Sequence, residues 1–94
     1  MGMHEFQCDV QEWAEGEFGE QSAIQKLSKL YEEVIELAKE VSVGDMYQIG
    51  EECADVIMVA MHIASISGQN IEYHLNRKLS INRTRDWSKR KKGA

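Results

Sequence analysis

Residues 51–66 read EECADVIMVAMHIASI, and the placement of this stretch decides the fold. From Cys53 to Ile66 it is a largely apolar run of 14 residues, interrupted by Asp55 and His62. That is too short for a membrane span, which needs about 20 predominantly apolar residues. Wound as a helix at about 100° per residue, it puts Asp55 on the stripe of Val59, Ile63 and Ile66, with Glu52 one turn earlier. His62 falls on the same stripe and is expected to be a satisfied core histidine. A helix apolar on nearly every side is buried on nearly every side. A chain of 94 residues has few other helices to cover it. A second subunit is therefore expected to supply the missing wall.

Working outward, no proline interrupts the chain, and turn residues divide it into four helical segments. The first is predicted over His4–Glu15, ending near Gly16 and Gly19. A second runs from Ser22, its N-cap, to Val41, with Leu27, Leu30, Val34, Leu37, Ala38 and Val41 at helical spacing. The third covers Asp45 or Met46 to Ser67, and the fourth runs from the N-cap Asn70 to Trp87. Short connections predict antiparallel neighbours. The expected fold is all-α, a compact antiparallel bundle of about four helices completed by oligomerisation. Residues 1–88 form its single domain, and 89–94 are read as a flexible basic tail.

Cys8 and Cys53 are the only cysteines and form no CxxC pair, so both are expected to be reduced, as suits a cytoplasmic protein. The start of the chain, polar and acidic, has no apolar core of a signal peptide. The net charge of −5 conceals a division. Residues 1–76 hold 15 acids and three bases, a net −12, whereas residues 77–94 hold eight bases and one acid, a net +7. An acidic folded body argues against a nucleic-acid surface.

Asp55 is the most informative residue. A carboxylate among apolar neighbours must be protonated, paired or bound to metal. The second helix offers a matching set, Glu33 and Glu36 at i, i+3. If the second and third helices form an antiparallel hairpin, Glu33-x-x-Glu36 faces Glu52-x-x-Asp55. Four hard oxygen donors there would repel one another unless a divalent cation intervened, and such a set favours Mg²⁺ or Mn²⁺. Glu-x-x-Glu alone is usually a solvated face, and a di-iron site would require Glu-x-x-His pairs that this chain lacks. On the fourth helix Lys78, Asn82 and Arg85 share the stripe of Ile71 and Leu75, an inward-leaning row suited to phosphate oxygens. Trp13, Phe18 and Trp87 are candidates for stacking on a nucleobase, although aromatic residues at helix ends are more often packing anchors. Tyr31 and Tyr47 are read as packing residues.

These motifs, in this order, resemble the all-α nucleoside triphosphate pyrophosphohydrolases, the MazG-like family. The likeness rests on KLYEEVIEL at 29–37, EECADV at 51–56, Lys78-x-x-x-Asn82-x-x-Arg85 and the Trp13…Phe18-Gly19 stretch, and it spans Trp13 to Trp87. It implies hydrolysis of a nucleoside triphosphate, often a deoxynucleotide, to the monophosphate and pyrophosphate. Glu33, Glu36, Glu52 and Asp55 would ligate Mg²⁺, and one glutamate, Glu33 or Glu36, would act as base. Lys78, Asn82 and Arg85 would contact the nucleotide, in a homodimer or homotetramer. Two other readings stand beside it. One is a non-catalytic module that binds a nucleotide or alarmone, the other a structural bundle whose basic tail touches nucleic acid.

Overall fold

The computed structural model describes residues 1–88, so the expected basic tail at 89–94 lies outside the described residues. Four helices carry the chain: α1 (Met3–Phe18), α2 (Ala23–Val43), α3 (Met46–Ile66) and α4 (Ile71–Thr84). No strand occurs among the described residues. The expected all-α bundle of four helices is what forms.

Local chemistry sets most of the ends. Ser22 and Gln25 form a reciprocal capping box at the start of α2, Ser22 Oγ accepting from the Gln25 N–H and Gln25 Oε1 from the Ser22 N–H. Asp45 and Asn70 cap α3 and α4 through the N–H groups of Gln48 and Tyr73. Gly44, left-handed at φ 85°, ends α2, and only Asp45 separates it from α3.

Two ends differ from expectation. Helix α1 does not stop at Glu15 but continues through Gly16 to Phe18. A glycine inside a helix costs only about 1 kcal/mol relative to alanine, and it is Gly19, at φ 74°, whose N–H closes on the Glu15 carbonyl. Helix α4 stops at Thr84 rather than Trp87. Thr84 Oγ1 donates back to the Ile81 carbonyl, Arg85 turns extended, and Asp86 Oδ1 accepts from the Ser88 N–H in a local turn. Trp87 folds back, its indole N–H donating to the Asn82 carbonyl at 2.8 Å.

Among consecutive helices, α2 and α3 pack most extensively; α1 packs on α3, and α4 on α1. Gln7, Val10 and Ala14 recur at i, i+3 and i+7 on α1, and all three are buried, as are Met61 and His62 of the α3 it packs against. Gln7 also ties the α3–α4 turn to α1. Its amide donates to Ser65 Oγ (2.9 Å) and the Gln69 carbonyl (2.8 Å), and its Oε1 accepts from the Ile71 N–H (2.9 Å).

The third helix is not buried all round within one chain. Cys53 and Ala54 are exposed, and Ile57 is 53% exposed, because α2 and α1 cover only two of its sides. Tyr31, Val34, Ile35 and Val41 on α2 are exposed as well. Both cysteines are free thiols. Among the described residues no helix is long and apolar enough to cross a membrane.

Candidate active site

The α2–α3 hairpin explains why two acidic pairs meet. Gly44 and Asp45 form its tip, so Glu36 and Glu52 lie seven to eight residues from the turn, and Glu33 and Asp55 ten to eleven. In an antiparallel pair, residues equidistant from the turn stand level. The structure brings together one carboxylate oxygen each from Glu33, Glu52 and Asp55, all within 4.8 Å of one another and all half-buried.

Electrostatics reflect the crowding. Burial first, then the charges of Asp55, Glu33, Glu36 and Glu40, raise the Glu52 carboxyl above its ordinary value. Burial, then Glu33 and Glu51, raise Asp55, with Lys29 opposing. Lys29 is the local counter-charge. Its Nζ lies 3.0 Å from Glu33 Oε1 and 3.8 Å from Glu32 Oε2, and the hydrogen bond to Glu33 raises the ammonium above its usual range. One ammonium facing three carboxylates leaves the cluster short of positive charge. Hard oxygen donors at this spacing fit Mg²⁺ or Mn²⁺, which the chemistry of the donor set favours over softer metals.

Glu36 stands apart from the three. Its Oε1 pairs with Lys39 at 3.3 Å on the surface, although its charge still reaches Glu52. Exposed pairs of this kind contribute little, so the carboxylate is held out only weakly.

Beside the acids a pocket of about 210 Å³ opens between α1, α2 and α3, lined by Trp13, Phe18, Lys26, Lys29, Glu33, Asp55, Met58 and His62, among others. Trp13 and Phe18 stand edge to face, centroids 5.7 Å apart at 84°, each about half exposed. The extension of α1 past Gly16 puts Phe18 there. His62 is buried as expected but only partly satisfied. Its Nε2 is 3.4 Å from Glu15 Oε2, whereas Nδ1, also buried, has no partner.

The row on α4 does not lean onto the acids of its own chain. Lys78 and Arg85 are exposed and Asn82 is half-buried; none lines the pocket, because α4 packs on α1. Arg85 has left the helix, its guanidinium 5.2 Å from the Trp87 ring centroid. Conversely, the motifs give no role to Lys26 or Lys29; helical spacing at i, i+3 and i+7 places both on the stripe of Glu33, but only the packing of α1 brings Lys26 into the pocket.

The sequence profile described as dATP/dGTP pyrophosphohydrolase matches residues 6–94. The chain belongs to this family. A curated relative from cyanophage S-2L, named dATP/dGTP diphosphohydrolase, is 32% identical over 68 residues. That stretch is 72% of this chain and 61% of the relative, so the chain spans about three-fifths of the relative's length. No solved structure matches. The MazG-like resemblance carried by the two acidic motifs is consistent with this membership.

Proposed function

We propose that this family member hydrolyses purine deoxynucleoside triphosphates at the α–β phosphoanhydride bond, releasing the monophosphate and pyrophosphate, with Mg²⁺ (or Mn²⁺) held by the α2–α3 acids. The observation that carries the reading is the convergence of Glu33, Glu52 and Asp55 beside an aromatic-walled pocket, in a chain matched by the family profile over residues 6–94. The purine preference rests on the family description and on the relative's name.

When bound, the cation neutralises triphosphate charge and lends Lewis acidity at the phosphorus under attack. The chain's own residues do the rest. Glu33, Glu52 and Asp55 would hold the cation, and Glu36, only weakly paired with Lys39 at the surface, would be available to join them. A free carboxylate oxygen of Glu33 or Glu36 accepts the proton of the attacking water. Trp13 and Phe18 form one wall against which the base packs, and Lys29 lies alongside the phosphates.

Lys78, Asn82 and Arg85 complete the nucleotide contacts from α4 of a second copy, since their own chain turns them away from its acids. The exposed apolar residues of α2 and Ile57 of α3 form the contact between copies, in a homodimer or homotetramer.

Purified protein with Mg²⁺ and dATP, dGTP, dCTP and dTTP in turn tests this reading. Pyrophosphate and the purine monophosphates are expected. Orthophosphate would make the chain a γ-phosphatase, and Mg²⁺-dependent binding without products would make it a nucleotide-sensing module.

A further inference from the structure

Lys26 is the cation that the acidic cluster does not account for. It is 6% exposed, lies among the residues lining the pocket, and has no carboxylate partner among the described residues. Its Nζ stands 5.4 Å from the Phe18 ring centroid. Burial, and secondly the charge of Lys29, lower its ammonium below the usual lysine value. The stem of Lys26 is enclosed, and its ammonium, held over an aromatic ring with no anion paired to it, keeps donors free for something that is not part of the chain.

Position along α2 separates the tasks of the two lysines. At 1.5 Å per residue, Lys29 is about 6 Å from the level of Glu33, whereas Lys26 is about 10 Å away. Lys29 is at the acid end and already paired with Glu33. Lys26 is at the aromatic end, against Phe18. On the proposed reading the phosphates sit over the acids and the base against the Trp13–Phe18 wall, so Lys26 faces the base.

Adenine and guanine present opposite groups at position 6, an amino donor and a carbonyl acceptor, but both carry an N7 acceptor on the same edge; neither pyrimidine has an N7, cytosine showing a donor there and thymine only O4 on its smaller ring. A lysine has three donors and no acceptor. It cannot favour the adenine amino group, but N7 satisfies it in either purine. We propose that Lys26 is the purine-selecting residue of this site, its ammonium donating to N7 of either base. Contact through N7 selects purine over pyrimidine, in accord with the pairing of dATP with dGTP in the family description. The inference rests on the proposed nucleotide site and assigns the base end of it.

The test needs no variant at first. Wild-type protein is given dATP and dGTP and their 7-deaza analogues, which replace N7 by C–H. Binding, measured as Mg²⁺-dependent thermal shift, is followed beside turnover. Loss of a hydrogen bond to a charged donor is expected to lower kcat/KM and affinity for the 7-deaza nucleotides by about 10- to 100-fold. In Lys26→Met the parent and 7-deaza nucleotides should converge to within about twofold, and the advantage over dCTP and dTTP should shrink to match. Equal use of parent and 7-deaza nucleotides by wild type would overturn the assignment. So would a Lys26→Met protein that loses all four natural nucleotides equally, the mark of a phosphate contact. Binding sensitive to N7 without turnover would uphold Lys26 while sinking the hydrolase reading, and absence of all nucleotide binding would overturn both.

Discussion

Asp55→Asn is expected to stabilise the metal-free protein while removing its response to Mg²⁺, two effects that an ordinary buried-residue substitution would not combine. Oxygens of Asp55 and Glu33 lie within 4.8 Å of each other. Two like charges at that separation repel by about 1 kcal/mol in a water-like medium and by about 3 kcal/mol at an effective dielectric constant of 20. The Glu33 side chain is 13% exposed, which argues for a value between these limits, and the attraction of Asp55 to Lys29 is lost with the charge. A net gain of about 1 kcal/mol remains, which for a domain of this size raises Tm by roughly 4–8 °C. Mg²⁺ acts the other way round. At a concentration a hundredfold above its Kd it adds about 2.7 kcal/mol to the wild type, a rise of roughly 10–20 °C.

Melts followed by circular dichroism, with EDTA or with Mg²⁺ and at one protein concentration, measure both. The pH dependence adds a sign that packing effects would not share. Asp55 and Glu52 have folded pKa values raised above the ordinary 3.8 and 4.5. An acid of this kind favours the fold in its protonated form; its contribution is fully present below the ordinary value and is lost as pH rises through the raised one. The metal-free wild type should therefore trail Asp55→Asn at neutral pH and draw level as the medium is acidified towards the ordinary values. An Asp55→Asn protein that melts at or below wild type in EDTA, or that keeps the Mg²⁺ shift, would refute the convergence of acids on a cation.

Other substitutions probe other links. Glu36→Gln should weaken Mg²⁺ affinity by about 10- to 100-fold if Glu36 joins the cation from its surface position, without the rise in metal-free Tm expected of Asp55→Asn; titration of the Mg²⁺-dependent Tm checks both. Mixing inactive Asp55→Asn protein with inactive Arg85→Ala protein should restore about a quarter of wild-type activity if each site draws α4 from a second copy, because half the dimers then hold one intact site. No restoration after subunit exchange would return the α4 row to a role within its own chain. Gln7→Leu should cost about 1–3 kcal/mol for each buried group it orphans, the Ile71 N–H among them, seen as a lower midpoint in guanidinium chloride.

What the sequence made legible depended on how local each signal was. The caps at Ser22 and Asn70 need only a side chain and an N–H three residues on, and both lie where spacing puts them. The meeting of Glu33 with Glu52 and Asp55 is nearly as local, since a single tight turn fixes the register of two helices and places equidistant residues level. Illegible features came from competition or from long range. Gly16 reads as a breaker, but in an amphipathic helix its cost is small beside the packing of Val10 and Ala14, and the helix runs on to deliver Phe18 to the pocket. The row on α4 has the right spacing for an anion site, yet helical spacing says which residues share a face and nothing about which helix that face will meet. Lys26 was hidden for the converse reason. On a wheel it is one more surface lysine, and only the folding of α1 across α3 encloses it beside an aromatic ring. A charge becomes informative when the fold buries it without a partner, and that is a property of three helices together rather than of any one of them.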